Sequence, residues 1–189
     1  MNRSILRSVG MVALVGSLLA VVPVTTFAEE RTCRGTIGAR TVDNLRVPDG
    51  ATCTLNGTTV KGTVKVETNA VLKAYRVRVV GNVQGEDSRK VVVVRGSRVG
   101  GSIQVVQAGR VTILDSRING DILVDENARL QNIRRNTVGG SVQAFQNRGG
   151  VRIYRNRIDG NLQCKANRPR PDGGGNVVGG NKEDQCRGF

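Results

Sequence analysis

The chain has 189 residues, a formal net charge of +14, no histidine or tryptophan, and only three phenylalanines and two tyrosines. The lack of histidine excludes a Ser–His–Asp triad and histidine-ligated metal chemistry. So few rings exclude a core built on large aromatic side chains. Of the 29 cations 23 are arginine, a balance that favours polyanionic partners through steering and counterion release.

Residues 1–28 read as an export signal. Arg3 and Arg7 make a basic start, Val9 to Val22 is almost wholly apolar, and Pro23 with Thr26-Phe27-Ala28 supplies a small-residue cleavage site. The apolar run is short for a membrane span of about 20 residues, and no cysteine follows it to carry a lipid. Cleavage there leaves residues 29–189 as one domain without a later membrane span. The net charge falls to +12, because the segment holds two arginines and no acids. The expected location is secreted or extracytoplasmic, at the cell envelope.

From there a glycine opens the same phrase again and again. Gly62, Gly81, Gly101, Gly120, Gly140, Gly160 and Gly180 follow one another at steps of 19 or 20, and Asp43 stands 19 residues upstream in the same context. An aliphatic comes two residues after most of them (Val64, Val83, Ile103, Ile122, Val142, Leu162) and another two residues before (Val60 through Val178). A fixed period of this length predicts an all-β solenoid, a parallel β-helix of about seven coils. Parallel connections are nearly always right-handed, which sets the expected hand.

One coil shows how the pattern works. Ile103 and Val105 alternate with Ser102 and Gln104, Val111-Thr112-Ile113 alternates again, and Ile118 points back in before Gly120. Such β-branched alternation predicts two or three short strands per coil. Four residues before each glycine stand Thr58, Val77, Ser97, Ser116, Asn136, Asn156 and Asn176, a column suited to ladders between coils. The repeating glycine itself is expected to permit a bend or a positive φ. Arg168 to Gly175 reads as a loop bulging from the last full coil.

The cysteines obey the same period. Cys33 and Cys53 are 20 residues apart, and Cys164 and Cys186 are 22 apart. Stacked residues in neighbouring coils are about 4.8 Å apart, within the reach of a disulfide. Of three possible pairings, the period selects Cys33–Cys53 and Cys164–Cys186, one at each end of the rod. A four-cysteine metal site would need ligands that converge, so no metal is expected.

Outward positions divide by character. Three residues before the glycine stand Thr59, Arg78, Arg98, Arg117, Thr137 and Arg157, with Arg76, Arg135 and Arg155 two residues earlier and Arg95, Arg134 and Arg152 close by. A row of arginines matches a row of phosphates, sulfates or carboxylates. Glu67, Glu86, Asp87, Asp125 and Glu126 fall on another turn and form an acidic edge. A third face carries Thr63, Asn82, Ser102, Asp121, Ser141 and Asn161 together with Gln84, Gln104, Gln143 and Gln163, groups able to hydrogen-bond sugars or to ladder with one another. Glycoside hydrolysis asks for two carboxyls about 5 to 10 Å apart. Asp121 stands nearly alone on this face, so no catalytic residue and no cofactor is expected.

The Gly-x-Val-x-Val phrase and the ending from Gly160-Asn161-Leu162-Gln163-Cys164 to Gln185-Cys186 resemble small secreted bacterial β-helix proteins of unassigned function, over the whole mature chain. The short coils are loosely similar to those of bactofilins, which implies end-to-end filaments, although the signal segment and the cysteines depart from that pattern. Pectate-lyase-like enzymes share the general fold, but their acid clusters are not matched here. The expected function is a non-enzymatic exported rod that docks an anionic envelope or extracellular polysaccharide, or another envelope polyanion, through Arg78, Arg98, Arg117 and Arg157, with Arg76, Arg135 and Arg155 beside them. No specific nucleic acid is expected. The alternatives are weak self-association through the acidic and basic edges and, third, an enzyme acting on acidic polysaccharides.

Overall fold

The computed structural model describes residues 29–189, and the export signal expected over residues 1–28 lies outside them. The described residues form a parallel β-solenoid of about seven turns. Each full coil contributes three strands, one to each of three sheets of nine, eight and eight strands. In the coil after Gly101 these are Ile103–Val106, Arg110–Leu114 and Arg117–Ile118. We call the three sides the amide sheet, the long-strand sheet and the arginine sheet. Among the described residues, no helix is long and apolar enough to cross a membrane.

The repeat folds this way because its inward positions bury in register. Val64, Val83, Ile103, Ile122, Val142 and Leu162 stack along the amide sheet, and Leu55, Ala74, Val93, Ile113, Ile133 and Ile153 along the long-strand sheet. All are buried. The arginine sheet adds Val60, Val79, Val99, Ile118, Val138 and Ile158. Each large aliphatic contributes about 1.5–3 kcal/mol by leaving water. Among the described residues one inward strand position is polar. Gln131 is wholly buried, and it stays there because Oε1 accepts the Val111 N–H (3.1 Å) while Nε2 donates to the Gly109 carbonyl (3.1 Å).

The corners hold the coils in register through side-chain ladders. Between the long-strand and arginine sheets, Asn136, Asn156 and Asn176 are buried. Asn156 Oδ1 accepts both the Asn136 N–H and the Asn136 Nδ2 (3.0 Å each), and Asn156 Nδ2 donates to Asn176 Oδ1 and to the Ile133 carbonyl (3.0 Å each). Between the amide and long-strand sheets a second ladder, Asn127, Asn147 and Asn167, repeats these bonds and ends on Gln185. At both corners the preceding residue has a positive φ, Arg135 (53°) and Arg155 (54°) at one and Glu126 (53°) and Gln146 (51°) at the other. The 20-residue step from Gly81 to Gly101 adds its extra residue at Arg95–Gly96, where both φ angles are positive (62° and 76°).

The repeating glycine serves another purpose than the one expected of it. None of the seven from Gly62 to Gly180 has a positive φ. They lie at the third corner, where the previous coil comes too close for a side chain. A Cβ on Gly81 would stand 2.7 Å from the Gly62 carbonyl oxygen, and one on Gly160 would stand 2.6 Å from Ser141 Oγ. Those crowding oxygens form a third ladder. The Ser102 N–H donates to Asn82 Oδ1 (2.8 Å), the Asp121 N–H to Ser102 Oγ (2.9 Å), and the Ser141 N–H to Asp121 Oδ1 (2.7 Å).

The ends are stapled. Cys33–Cys53 and Cys164–Cys186 are bonded, with Cα–Cα distances of 5.5 and 5.3 Å, so the coil period predicted both pairs. The segment expected to bulge as a loop instead supplies the strand Asp172–Gly174, paired in register with Arg152–Tyr154. Phe189 then packs against the core beside Gly173.

Three outcomes follow from this packing. Gly81→Ala should destabilise the protein by about 1–3 kcal/mol, because backbone rather than a flexible side chain blocks the new Cβ; thermal or chemical denaturation reads this directly. Asn156→Ala leaves two buried donors of Asn136 without an acceptor and should cost about 2 kcal/mol or more, whereas the exposed Arg98→Ser should cost almost nothing in the same assay. Each disulfide closes about 20 residues and contributes roughly 3 kcal/mol on the chain-entropy model. Reduction should therefore speed amide exchange in the first and last coils while the coils from Gly81 to Gly140 keep their protection.

Candidate functional site

The strands of the arginine sheet are two residues long, and their second residue is the inward Val or Ile. The first residue must therefore face out, which places Arg78, Arg98, Arg117 and Arg157 on the surface. Arg98 pairs in register with Arg78 on one side and Arg117 on the other. The column continues through Thr137 to Arg157 and Val177, and begins at Thr41 and Thr59. Three arginines thus stand in consecutive coils, about 4.8 Å apart along the axis, and Thr137 separates Arg157 from them.

These three are free to meet a ligand. Among the described residues no carboxylate pairs with Arg78, Arg98 or Arg117, while Arg157 Nε lies 3.9 Å from Asp159 Oδ1. They line a shallow groove of about 580 Å³ with Val80, Gly100 and Asn119. Val80 is 52% exposed, one of two large apolar side chains so placed among the described residues. Like charges at this spacing repel by about 1 kcal/mol per neighbouring pair in water.

The other expected arginines sit at the corner leading into this sheet. Arg76 Nη2 donates to Asn56 Oδ1 (2.7 Å). Arg135 forms a bidentate pair with Asp115 (Nε–Oδ1 2.6 Å, Nη2–Oδ2 2.8 Å). That hydrogen bonding holds the Asp115 carboxyl below its usual range. Arg155 follows in the next coil with no carboxylate partner among the described residues, beside Arg134 and Tyr154. The basic surface is therefore broken between Arg117 and Arg157. Asp115 interrupts the corner column and Thr137 the sheet column.

The acidic residues gather at the corner between the amide and long-strand sheets. A groove of about 740 Å³ runs there past Asp49, Glu67, Glu86 and Asp87. Glu67 is already engaged by Arg46 (3.3 Å) and Lys65 (3.9 Å). Further along, burial, and then the neighbouring Glu126 carboxylate, raise Asp125 above the ordinary carboxylate range. Among the described residues no group of three or more Cys, Asp or Glu side chains could hold a metal ion.

The expected amide face divides in two. Gln84 and Gln104 (3.3 Å) and Gln143 and Gln163 (2.8 Å) do lie outward on the amide sheet and bond in pairs, with Leu123 between the two sets. Thr63, Asn82, Ser102, Asp121, Ser141 and Asn161 belong instead to the third corner ladder, where their oxygens accept backbone N–H groups. Asp121 is thus committed to Ser141. The Asn127, Asn147, Asn167 ladder was missed at sequence level, although its strict 20-residue spacing was there to find. Compared with protein-family models, with curated proteins and with solved structures, the chain shows no significant match.

Proposed function

We propose that this is an exported, non-enzymatic binding protein that docks a linear anionic polymer along the arginine sheet. The observation that carries the reading is the register-matched row Arg78–Arg98–Arg117, exposed and without carboxylate partners, lining one groove. Guanidinium groups at a regular step suit repeated carboxylate, sulfate or phosphate groups by forked hydrogen bonds. The export signal expected at residues 1–28 and two disulfides compatible with an extracytoplasmic location support an anionic envelope or extracellular polysaccharide as the ligand. A second reading, lateral self-association, draws on the acidic groove at the corner facing away from the arginine sheet.

A salt series separates these readings. Binding of a polyuronate, a polyphosphate of the teichoic-acid type and a sulfated glycan should weaken with salt. For three neutralised charges the log–log slope should be about −2. Arg98→Glu with Arg117→Glu should lower the affinity at least tenfold. Binding that is absent at low salt, or unchanged in the double variant, would remove the proposal. Sedimentation at high protein concentration and low salt checks the second reading, which expects assembly that dissolves in moderate salt.

A further inference from the structure

We infer that a second anion site, independent of the arginine row, lies at the corner formed by Arg134, Arg135, Tyr154 and Arg155, and that it takes a phosphate monoester. These four residues line a cavity of about 280 Å³. The Arg134 guanidinium lies over the Tyr154 ring at 5.0 Å, which fixes its plane. Arg134 Nε is shielded from solvent and has no hydrogen-bond partner, and no carboxylate among the described residues pairs with this guanidinium, so its charge is left uncompensated within the protein. The Tyr154 hydroxyl is tied to Asp172, which raises its pKa and keeps the ring in place.

The local charge favours a dianion. Arg134, Arg135 and Arg155 carry three positive charges, and Asp115 compensates only Arg135. Around the rim, Arg152 and Asp172 act on Tyr154 with opposite sign. Two positive charges remain inside a small cavity, which matches one compact doubly charged group better than a spread polymer. Arginine at this corner is no requirement of the fold, since the equivalent residues in other coils include Gly57, Asp115 and Gly175 as well as Arg76, all at positive φ (69°, 51°, 65° and 51°). The corner would close with glycine, yet these coils place arginine there.

The protein supplies its own reporter, because it has no tryptophan and only two tyrosines, Tyr75 and Tyr154. In a Tyr75→Phe background the emission of Tyr154 should change saturably on titration with glycerol 2-phosphate. Binding should weaken as the pH falls through about 6, where a phosphate monoester takes up its second proton, while inorganic sulfate should show no such dependence. Arg155→Gly, a residue already tolerated at this corner, should weaken binding at least tenfold, and Arg134→Gln should do the same. Arg98→Glu with Arg117→Glu should leave it within about twofold, so failure of this site and failure of the arginine row give different results. No saturable response, or a response that survives both Arg155→Gly and Arg134→Gln, would overturn the inference.

Discussion

Every coil of this protein depends on its neighbours for the acceptors of its backbone N–H groups. Along the flat sides other backbone carbonyls supply them, as in any parallel sheet. At the corners the backbone turns, and side-chain oxygens of the adjacent coil take over. A buried N–H without a partner is costly, so a shift of one residue in the stacking would unsatisfy a whole corner as well as misplace the aliphatic columns. The register is therefore fixed twice, by core packing and by the ladders.

That constraint explains why the surface carries ordered rows. Once the coils are locked, any outward position that keeps its residue type from coil to coil becomes a column with the strand spacing. Arg78, Arg98 and Arg117 are such a column, and no folding role competes for their side chains. The same regularity makes interruptions informative. Thr137 breaks the sheet column where Asp115 and Arg135 close on one another at the corner, and beyond that break the charge regroups around Tyr154. One basic surface becomes a row and a cavity with different demands on a ligand.

The stabilising devices are unevenly distributed. Buried asparagine ladders occupy the C-terminal half, whereas Thr58, Val77, Ser97 and Ser116 take the equivalent places at one corner in the N-terminal half, and Ala51, Ala70, Ser88 and Ala108 at the other. Alanine or valine fills such a corner without needing partners, and Thr58, Ser97 and Ser116 each give one hydroxyl to a nearby carbonyl; an asparagine must find four. Where asparagines stack on asparagines each meets that need from its neighbour, so the choice works only in runs. The disulfides serve the terminal coils, which have a neighbour on one side alone.

The sequence by itself determined the period, and with it whatever depends only on which residues stack. The inward columns, the disulfide pairing and the row Arg78–Arg98–Arg117 are all statements about residues 19 to 22 positions apart, and a solenoid brings such residues together. Other features depend on lateral neighbours within the coil and on how the backbone turns. The recurrent glycine was expected to turn the chain; in fact it makes room for the oxygen of the coil beside it. Thr63 to Asn161 read as an exposed face and proved to be a corner, because alternation cannot tell an outward strand position from the residue just before the strand. Asp115 and Arg135, like Arg134 and Tyr154, stand 20 residues apart, so their stacking was legible in the period; the forked ion pair and the guanidinium lying over the ring depend on side-chain directions that only the folded corner sets. A linear repeat specifies neighbours along the axis, whereas the path around the coil depends on φ and ψ at three corners, and only the folded chain decides those.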